Sequence, residues 1–179
     1  MIHGAKVALR PLTCDDIEKI SSWDSDKEIE ALAGWDSKGH LAHQKWYDTM
    51  VAGRNSKIFG IWTEDGEMIG DIGLSGISWR GGEAELVVRI GEKEYWNQGY
   101  GRDAVSALVK YAFSKLKLRR VYLRVYQDNV RAVRCYESCG FVKEGVVSRR
   151  FDEGPKKIYL MTITREGGKR GRSASRKAS

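Results

Sequence analysis

The chain has 179 residues, the usual size of one domain, and can bury a core without disulfides or metals. Its formal charge of +7 is uneven: residues 165–179 carry six Lys/Arg and one Glu, a net of +5, which leaves +2 for residues 1–164. The N-terminus lacks the apolar run of a signal peptide, and no stretch approaches about 18 apolar residues. We therefore expect a cytoplasmic protein without a membrane partner.

The three cysteines, Cys14, Cys135 and Cys139, are an odd number at no disulfide-framework spacing, which fits a reducing compartment. Cys135 and Cys139 would share a helix face, but a zinc site needs further ligands. The three histidines all lie far away in the sequence. We expect no metal.

The first half of the chain begins with a predicted strand over 5–12, which Pro11 ends. Two short helices follow, over 13–23 and 25–34, with Thr13 as the cap of the first. A third helix is predicted over 40–52.

The sequence then changes to strands. Two of them, 56–64 and 67–77, flank Asp65-Gly66, a strong hairpin signal, and the turn at Gly81-Gly82 leads to another over 83–91.

The second half begins with a helix that runs to about Leu116. Further elements are expected in this order: strand 119–127, helix 129–139, strands 141–151 and 156–164, the last two joined by a turn at Gly154-Pro155. Together the elements predict an α+β, layered fold with helices packed on a mixed sheet of about seven strands.

The stretch WNQGYGRDAV, residues 96–105, starts a helix with two glycines, although glycine is a poor helix former. A helix N-terminus has unpaired N–H groups and suits phosphate, and Gly99 and Gly101 leave the backbone open to a ligand. Gln98 and Arg102 could add donors. A plain turn without a ligand is one alternative. A dinucleotide fingerprint is another, but its first glycine should follow the strand closely, whereas seven residues separate Gly91 from Gly99.

Two motifs favour one interpretation of this stretch. They are AELVVRIGEKEYWNQGYGRDA and DNVRAVRCYESCGFVKEG. Together they resemble the GNAT superfamily of acetyl-CoA-dependent N-acetyltransferases, and more narrowly its RimJ/RimL-type branch. The family's Gln/Arg-x-x-Gly-x-Gly/Ala signature is met by residues 98–103, except that Asp103 stands in the last position. The pattern N-x-x-A-x-x-x-Y-x-x-x-G-F is met by Asn129, Ala132, Tyr136, Gly140 and Phe141. The resemblance covers 5–164 and implies a GNAT fold, with helices on both faces of the sheet.

The resemblance implies acetyl-CoA as co-substrate. Its pyrophosphate would lie on the amides of the turn, made by Gln98, Gly99, Tyr100, Gly101, Arg102 and Asp103. Its pantetheine arm would run along the strand segment Val88, Arg89 and Ile90. Asn129 would face the pantetheine or cap its helix, and both roles are compatible.

Two residues are expected to move protons. The resemblance makes Tyr136 the general acid; its ordinary pKa near 10 keeps it protonated at pH 7, and a core tyrosine is the alternative. Glu85 matches a glutamate that many relatives have, thought to act as base through water. A solvated glutamate on the sheet face is the alternative.

The acceptor is a primary amine. From Thr13 to Asp36 there are eight acidic residues and two lysines, a net charge of −6 that would attract a cationic acceptor. A solvated helix face without a ligand is the alternative. We expect a protein N-terminal amine of the ribosomal-protein type; a polyamine or an aminoglycoside is the alternative.

The domain is expected over 1–166, followed by a basic, disordered tail over 167–179 that could make a weak contact with RNA or the ribosome. A non-catalytic acyl-CoA-binding module and a nucleic-acid-binding protein are the other classes considered. We expect a monomer or a homodimer.

Overall fold

One eight-stranded mixed sheet organises the protein, whose computed structural model describes residues 1–32 and 53–166. The helix predicted over 40–52 and the tail over 167–179 lie outside the described residues. The strands are β1 (Ile2–His3), β2 (Val7–Pro11), β3 (Lys57–Thr63), β4 (Met68–Ser78), β5 (Glu83–Ile90), β6 (Arg120–Tyr126), β7 (Val142–Phe151) and β8 (Gly154–Thr164).

The α-helices are α1 (Ile17–Asp24), α2 (Lys27–Leu32), α3 (Tyr100–Ser114) and α4 (Val130–Ser138). Single turns of 3-10 helix cover Cys14–Asp16 and Lys93–Tyr95. No helix in the described ranges is long and apolar enough to cross a lipid bilayer.

The sheet has the order β1-β2-β3-β4-β5-β6-β8-β7, and all neighbours are antiparallel except β5 and β6. The predicted mixed sheet is confirmed. The expected number of about seven strands misses β1, since a two-residue strand produces no alternating pattern that could be recognised.

Helices cover both faces of the sheet, as predicted. Alternate residues of β3 show the division: Phe59 and Ile61 join the larger buried cluster with α3 and α4, whereas Ile58 joins a second cluster with α1 and α2. This alternation follows from the opposite directions of successive side chains in a strand.

The hairpin between β7 and β8 differs from its prediction. Phe151 pairs with Gly154, so the turn consists of residues 152 and 153, and Gly154-Pro155 begins β8 instead of forming the turn. β8 pairs with β6 only from Ile158 onward. Pro155 therefore lies where the strand has one neighbour, a position that proline tolerates.

The parallel strands β5 and β6 separate after three residue pairs. Glu83, Ala84 and Glu85 pair with residues 120–122, and the later part of β5 has no partner on that side among the described residues. This divergence opens the sheet next to the N-terminus of α3 and positions the site described below.

Candidate active site

A cleft of about 370 Å³ lies where β5 and β6 diverge. Its walls are the end of β5, the turn before α3, and α4. Such a volume is typical of small-molecule sites. All but three of the predicted site residues line it: Val88, Arg89, Ile90, Gly99, Tyr100, Gly101, Arg102, Asn129 and Tyr136.

The turn before α3 presents a row of unused N–H groups. Gly99 is the N-cap residue and has a left-handed backbone, with φ of 85°. Within the described residues, nothing accepts a hydrogen bond from the backbone N–H groups of residues 98–102. The first bond of the turn joins the N–H of Asp103 to the carbonyl of Gly99, at 3.0 Å. Consecutive free N–H groups at a helix N-terminus form an anion site.

The two glycines of the turn have different reasons to be glycine. Gly99 needs its left-handed conformation, which other residues rarely adopt. Gly101 has no positive φ, and a Cβ there would meet only Ile90, at an ordinary contact distance of 3.6 Å. Since the fold does not require glycine at 101, the open backbone there favours the approach of a ligand.

Asp103 does not line the cleft. Its carboxylate accepts hydrogen bonds from the backbone N–H groups of Ala5 (2.9 Å), Lys6 (2.7 Å) and Val7 (3.1 Å). Asp103 thus ties the segment before β2 to the first turn of α3. This gives the departure from the Gly/Ala of the motif a structural role.

Gln98 also lies outside the lining and supports the turn. Its side-chain amide donates to the backbone carbonyl of Glu94, and the backbone carbonyl of Gln98 accepts from Lys6 Nζ at 2.9 Å.

Arg89 lines the cleft, but its guanidinium is held by carboxylates. It donates to Asp71 Oδ1 at 2.7 Å and to Asp24 of α1. Burial alone would lower the pKa of Arg89, but the charges of Asp71 and Asp24 raise it above its ordinary value. The Arg89 side chain therefore holds α1 on the sheet, and its charge is already paired.

Asn129 caps α4 and lines the cleft at the same time. Its side-chain oxygen accepts from the N–H of Ala132 at 3.2 Å, and its amide donates to the carbonyl of Leu32 at 3.3 Å. The cap thereby connects α4 with the end of α2.

Tyr136 lies on α4, seven residues after Asn129, and its ring packs edge-on against Phe141 with centroids 6.0 Å apart. Burial raises the pKa of Tyr136 above the ordinary phenol value, and the neighbouring Cys135 and Cys139 add to the shift. Among the described residues, no group forms a hydrogen bond with its hydroxyl. The Tyr136 hydroxyl is therefore a protonated donor without a hydrogen-bond partner among the described residues.

Glu85 is the third predicted residue outside the lining. Its two oxygens accept hydrogen bonds from Arg124 Nε (2.7 Å) and Nη2 (2.6 Å), and its side chain is 15% exposed. The carboxylate thus forms an ion pair on the sheet face beside the cleft. The sequence analysis did not predict this ion pair.

Among the lining residues that sequence reasoning did not assign to the site are Trp96, Arg131 and Arg134. The sequence did contain a signal for the two arginines. They are three residues apart on the helix of Asn129 and Tyr136, and residues at this spacing share a helix face. Among the described residues, no cluster of three or more His, Cys, Asp or Glu could hold a metal ion.

Comparison with known proteins identifies the family of the chain. The family model described as acetyltransferase (GNAT) domain matches residues 6–142. The spermidine N(1)-acetyltransferase of Vibrio cholerae is 25% identical over 166 residues, 88% of this chain and 94% of that protein. The aminoglycoside N(6')-acetyltransferase type 1 of Klebsiella pneumoniae is 29% identical over 181 residues, 94% of this chain and 88% of that protein.

Among solved structures, the Vibrio cholerae spermidine N-acetyltransferase in complex with CoA and spermine superposes with a TM-score of 0.82, at 23% identity, over 91% of this chain and 98% of that one. This likeness confirms the predicted fold. With the family match over most of its length, the chain belongs to the acetyltransferase (GNAT) domain family and is an N-acetyltransferase.

Proposed function

We propose that the protein transfers acetyl from acetyl-CoA to a primary amine of a small polycation of the polyamine class. The observation that carries the proposal is that one cleft is lined both by residues 99–102, whose N–H groups are free within the described residues, and by Tyr136. The similarity to a spermidine acetyltransferase over 88% of this chain supports the acceptor class.

The N–H groups of residues 98–102 and the Arg102 side chain bind the pyrophosphate of acetyl-CoA. The open backbone at Gly101 lets the phosphates approach. The backbone of Val88–Ile90, unpaired on the β6 side, accepts the pantetheine arm in the gap between the strands.

The reaction is direct attack of a neutral amine on the thioester carbonyl. The nitrogen–carbon bond forms, the carbon–sulfur bond breaks, and Tyr136 donates its proton to the departing thiolate. Glu85 takes the proton from the amine through a water molecule. A carboxylate has about four lone-pair sites, so the two bonds to Arg124 leave acceptor capacity for that water.

The charges near α1 and α2 support a cationic acceptor. Asp24 pairs with Arg89, and Asp26 and Glu28 pair with Lys93. Asp15, Glu18 and Glu30 make no ion pair with any residue in the described ranges, so the surface keeps negative charge.

An N-terminal α-amine of a protein, the acceptor expected from the RimJ/RimL-type resemblance, is the second candidate. The observation in its favour is the engagement of Glu85 by Arg124. An α-amine with a pKa of about 8 is partly neutral at pH 7 and needs less help from a base than a polyamine nitrogen near 10.4.

The test is acetylation by the purified protein of spermidine, an aminoglycoside and a set of ribosomal proteins in parallel, with products identified by mass spectrometry and thiol release measured. We expect N-acetylspermidine to form fastest. If only protein N-termini are acetylated, the protein is still an N-acetyltransferase, but its acceptor is a protein α-amine and not a polyamine. A lack of thiol release with every amine would contradict the proposed reaction.

A further inference from the structure

The cleft contains more positive charge than its pyrophosphate turn requires. Besides Arg89, three arginines line it, Arg102 on α3 and Arg131 and Arg134 on α4, and none of these three forms an ion pair with a carboxylate in the described ranges. By contrast, Arg89 and Arg124 both have carboxylate partners. Unpaired arginines that converge on one cleft indicate an anionic ligand.

Arg131 is held in place by stacking. Its guanidinium lies 4.0 Å from the centroid of the Trp96 ring, and Trp96 Nε1 donates to the carbonyl of Ile90 at 2.9 Å. The indole is thus fixed to the end of β5, and it orients the guanidinium plane. A stacked arginine keeps its N–H edge free for a bidentate bond to phosphate.

Arg134 stands three residues further along α4, so the two side chains are neighbours on one helix face. The acid closest to it in sequence on this helix, Glu137, pairs instead with Lys143, at 3.2 Å. Arg131 and Arg134 therefore supply two positive charges on the α4 side of the cleft, across from the pyrophosphate turn of α3.

We propose that Arg131 and Arg134 bind the 3′-phosphate of coenzyme A and make the enzyme select CoA over 3′-dephospho-CoA. A phosphate monoester carries a charge of about −2 at neutral pH, which the two guanidiniums match. Arg102, in the first turn of α3, binds the pyrophosphate and not the 3′-phosphate. The inference rests on acetyl-CoA being the donor, as in the proposed function.

The experiment measures the dissociation constants of acetyl-CoA and acetyl-3′-dephospho-CoA for the unaltered chain, Arg131→Gln, Arg134→Gln and the double variant. Arg80→Gln, which removes an exposed charge from the turn between β4 and β5, is the matched control. Thermal melts check that each variant is folded.

We expect the unaltered chain to prefer acetyl-CoA by about 100-fold, since charge-assisted hydrogen bonds are strong. Each single variant should weaken acetyl-CoA binding by about tenfold and leave binding of the dephospho donor within about twofold. The double variant should lose the preference, and Arg80→Gln should keep it.

If the variants bind both donors more weakly by the same factor, the arginines attract anions in general and do not recognise the 3′-phosphate. That result would overturn the proposal. So would an unaltered chain that binds and uses both donors equally, although acetyl-CoA would then remain the donor. If the unaltered chain neither binds nor turns over acetyl-CoA, the donor assignment fails and this inference fails with it.

Discussion

Glu85 and Arg124 form a two-point ion pair, with nitrogen–oxygen distances of 2.7 and 2.6 Å, across the only parallel strand pair of the described sheet. The pair lies immediately before β5 and β6 separate. The predicted base is therefore anchored where the gap between the two strands begins.

The importance of Glu85 should depend on the basicity of the acceptor. In the Glu85→Gln variant we expect kcat/KM to fall about 100-fold for spermidine, whose amines are almost fully protonated at pH 7, and less than tenfold for a peptide α-amine. Steady-state kinetics with both acceptors from pH 6.5 to 9.5 measure this difference. Equal losses for the two acceptors at every pH would exclude Glu85 as the base.

Tyr136 should affect the chemical step and leave donor binding unchanged. The Tyr136→Phe variant is expected to lower kcat by about 10²- to 10⁴-fold, the range of general acid–base catalysis, with an unaltered dissociation constant for acetyl-CoA. Tyr111→Phe makes the same change in a ring that packs on Phe59 outside the cleft, and should be neutral. Normal turnover by Tyr136→Phe would remove Tyr136 from the chemistry.

The raised pKa of Tyr136 also has a consequence for pH. Burial places the folded pKa above the unfolded value of about 10, so the phenol stays protonated in the folded enzyme beyond that pH. The protonated phenol contributes its full share to the stability of the fold below pH 10, and this contribution is lost as the pH rises through the folded pKa. We expect no decrease in kcat from ionisation of Tyr136 below pH 10, which a pH–rate profile compared with that of Tyr136→Phe can check.

The part of the site that could be predicted from the sequence is local. The glycine turn before α3 and the spacing of Asn129 and Tyr136 on α4 belong to short segments, so residue type and period were sufficient. Contacts between distant segments could not be predicted. Glu85 and Arg124 are 39 residues apart and meet only through the register of β5 and β6, while Asp103 reaches Lys6 across 97 residues.

The same reasoning applies to the fold. Seven strands with clear alternation were predicted, whereas β1 was too short for a pattern. The predicted turn at Gly154-Pro155 was wrong. Both residues favour turns, which misled the prediction, but Phe151 pairs with Gly154 and leaves only residues 152 and 153 for the turn.

Asp103 should stabilise the protein and support donor binding indirectly. Asp103→Ala removes three hydrogen bonds to backbone N–H groups, and we expect a loss of about 3 kcal/mol in unfolding free energy and a decrease of roughly 6 °C or more in Tm. The KM for acetyl-CoA should rise several-fold, because the turn loses its anchor. Calorimetry and kinetics measure the two effects.

The controls for Asp103 are a conservative and a distant change. Asp103→Asn keeps one acceptor oxygen and should be intermediate in both measurements. Asp152→Ala, in the exposed turn between β7 and β8, should change neither. An unaltered Tm in Asp103→Ala would show that the three bonds do not hold the segment before β2.

Gly91 should tolerate no side chain. A Cβ there would lie 2.0 Å from Cδ2 of Trp23, whose ring is buried with only 4% exposure. Gly91→Ala must displace α1 or β5, and we expect a loss of about 3 kcal/mol and a decrease of roughly 6 °C or more in Tm. Gly145→Ala, where a Cβ would meet nothing within 4 Å, is the control and should be neutral or slightly stabilising. Equal melting temperatures for the two variants would contradict the close packing of Trp23 on Gly91.

Cys135 provides a direct probe of the cleft, because it lines the cleft whereas the exposed Cys14 lies outside its lining. Its hydrogen bond with Cys139 raises the pKa of the Cys135 thiol, and burial adds to this. In the Cys139→Ser variant only Cys14 and Cys135 remain, and the coupling between the two thiols is gone.

We expect excess CoA to slow the reaction of Cys135 with N-ethylmaleimide at least fivefold in this variant, and to leave Cys14 unchanged, as followed by mass spectrometry of the labelled peptides. Cys14 thus serves as the control within the same molecule. CoA must cover the α4 wall if its pyrophosphate lies on residues 98–102, because Cys135 and that turn line one cleft. Equal labelling rates of Cys135 with and without saturating CoA would mean that the cofactor binds elsewhere.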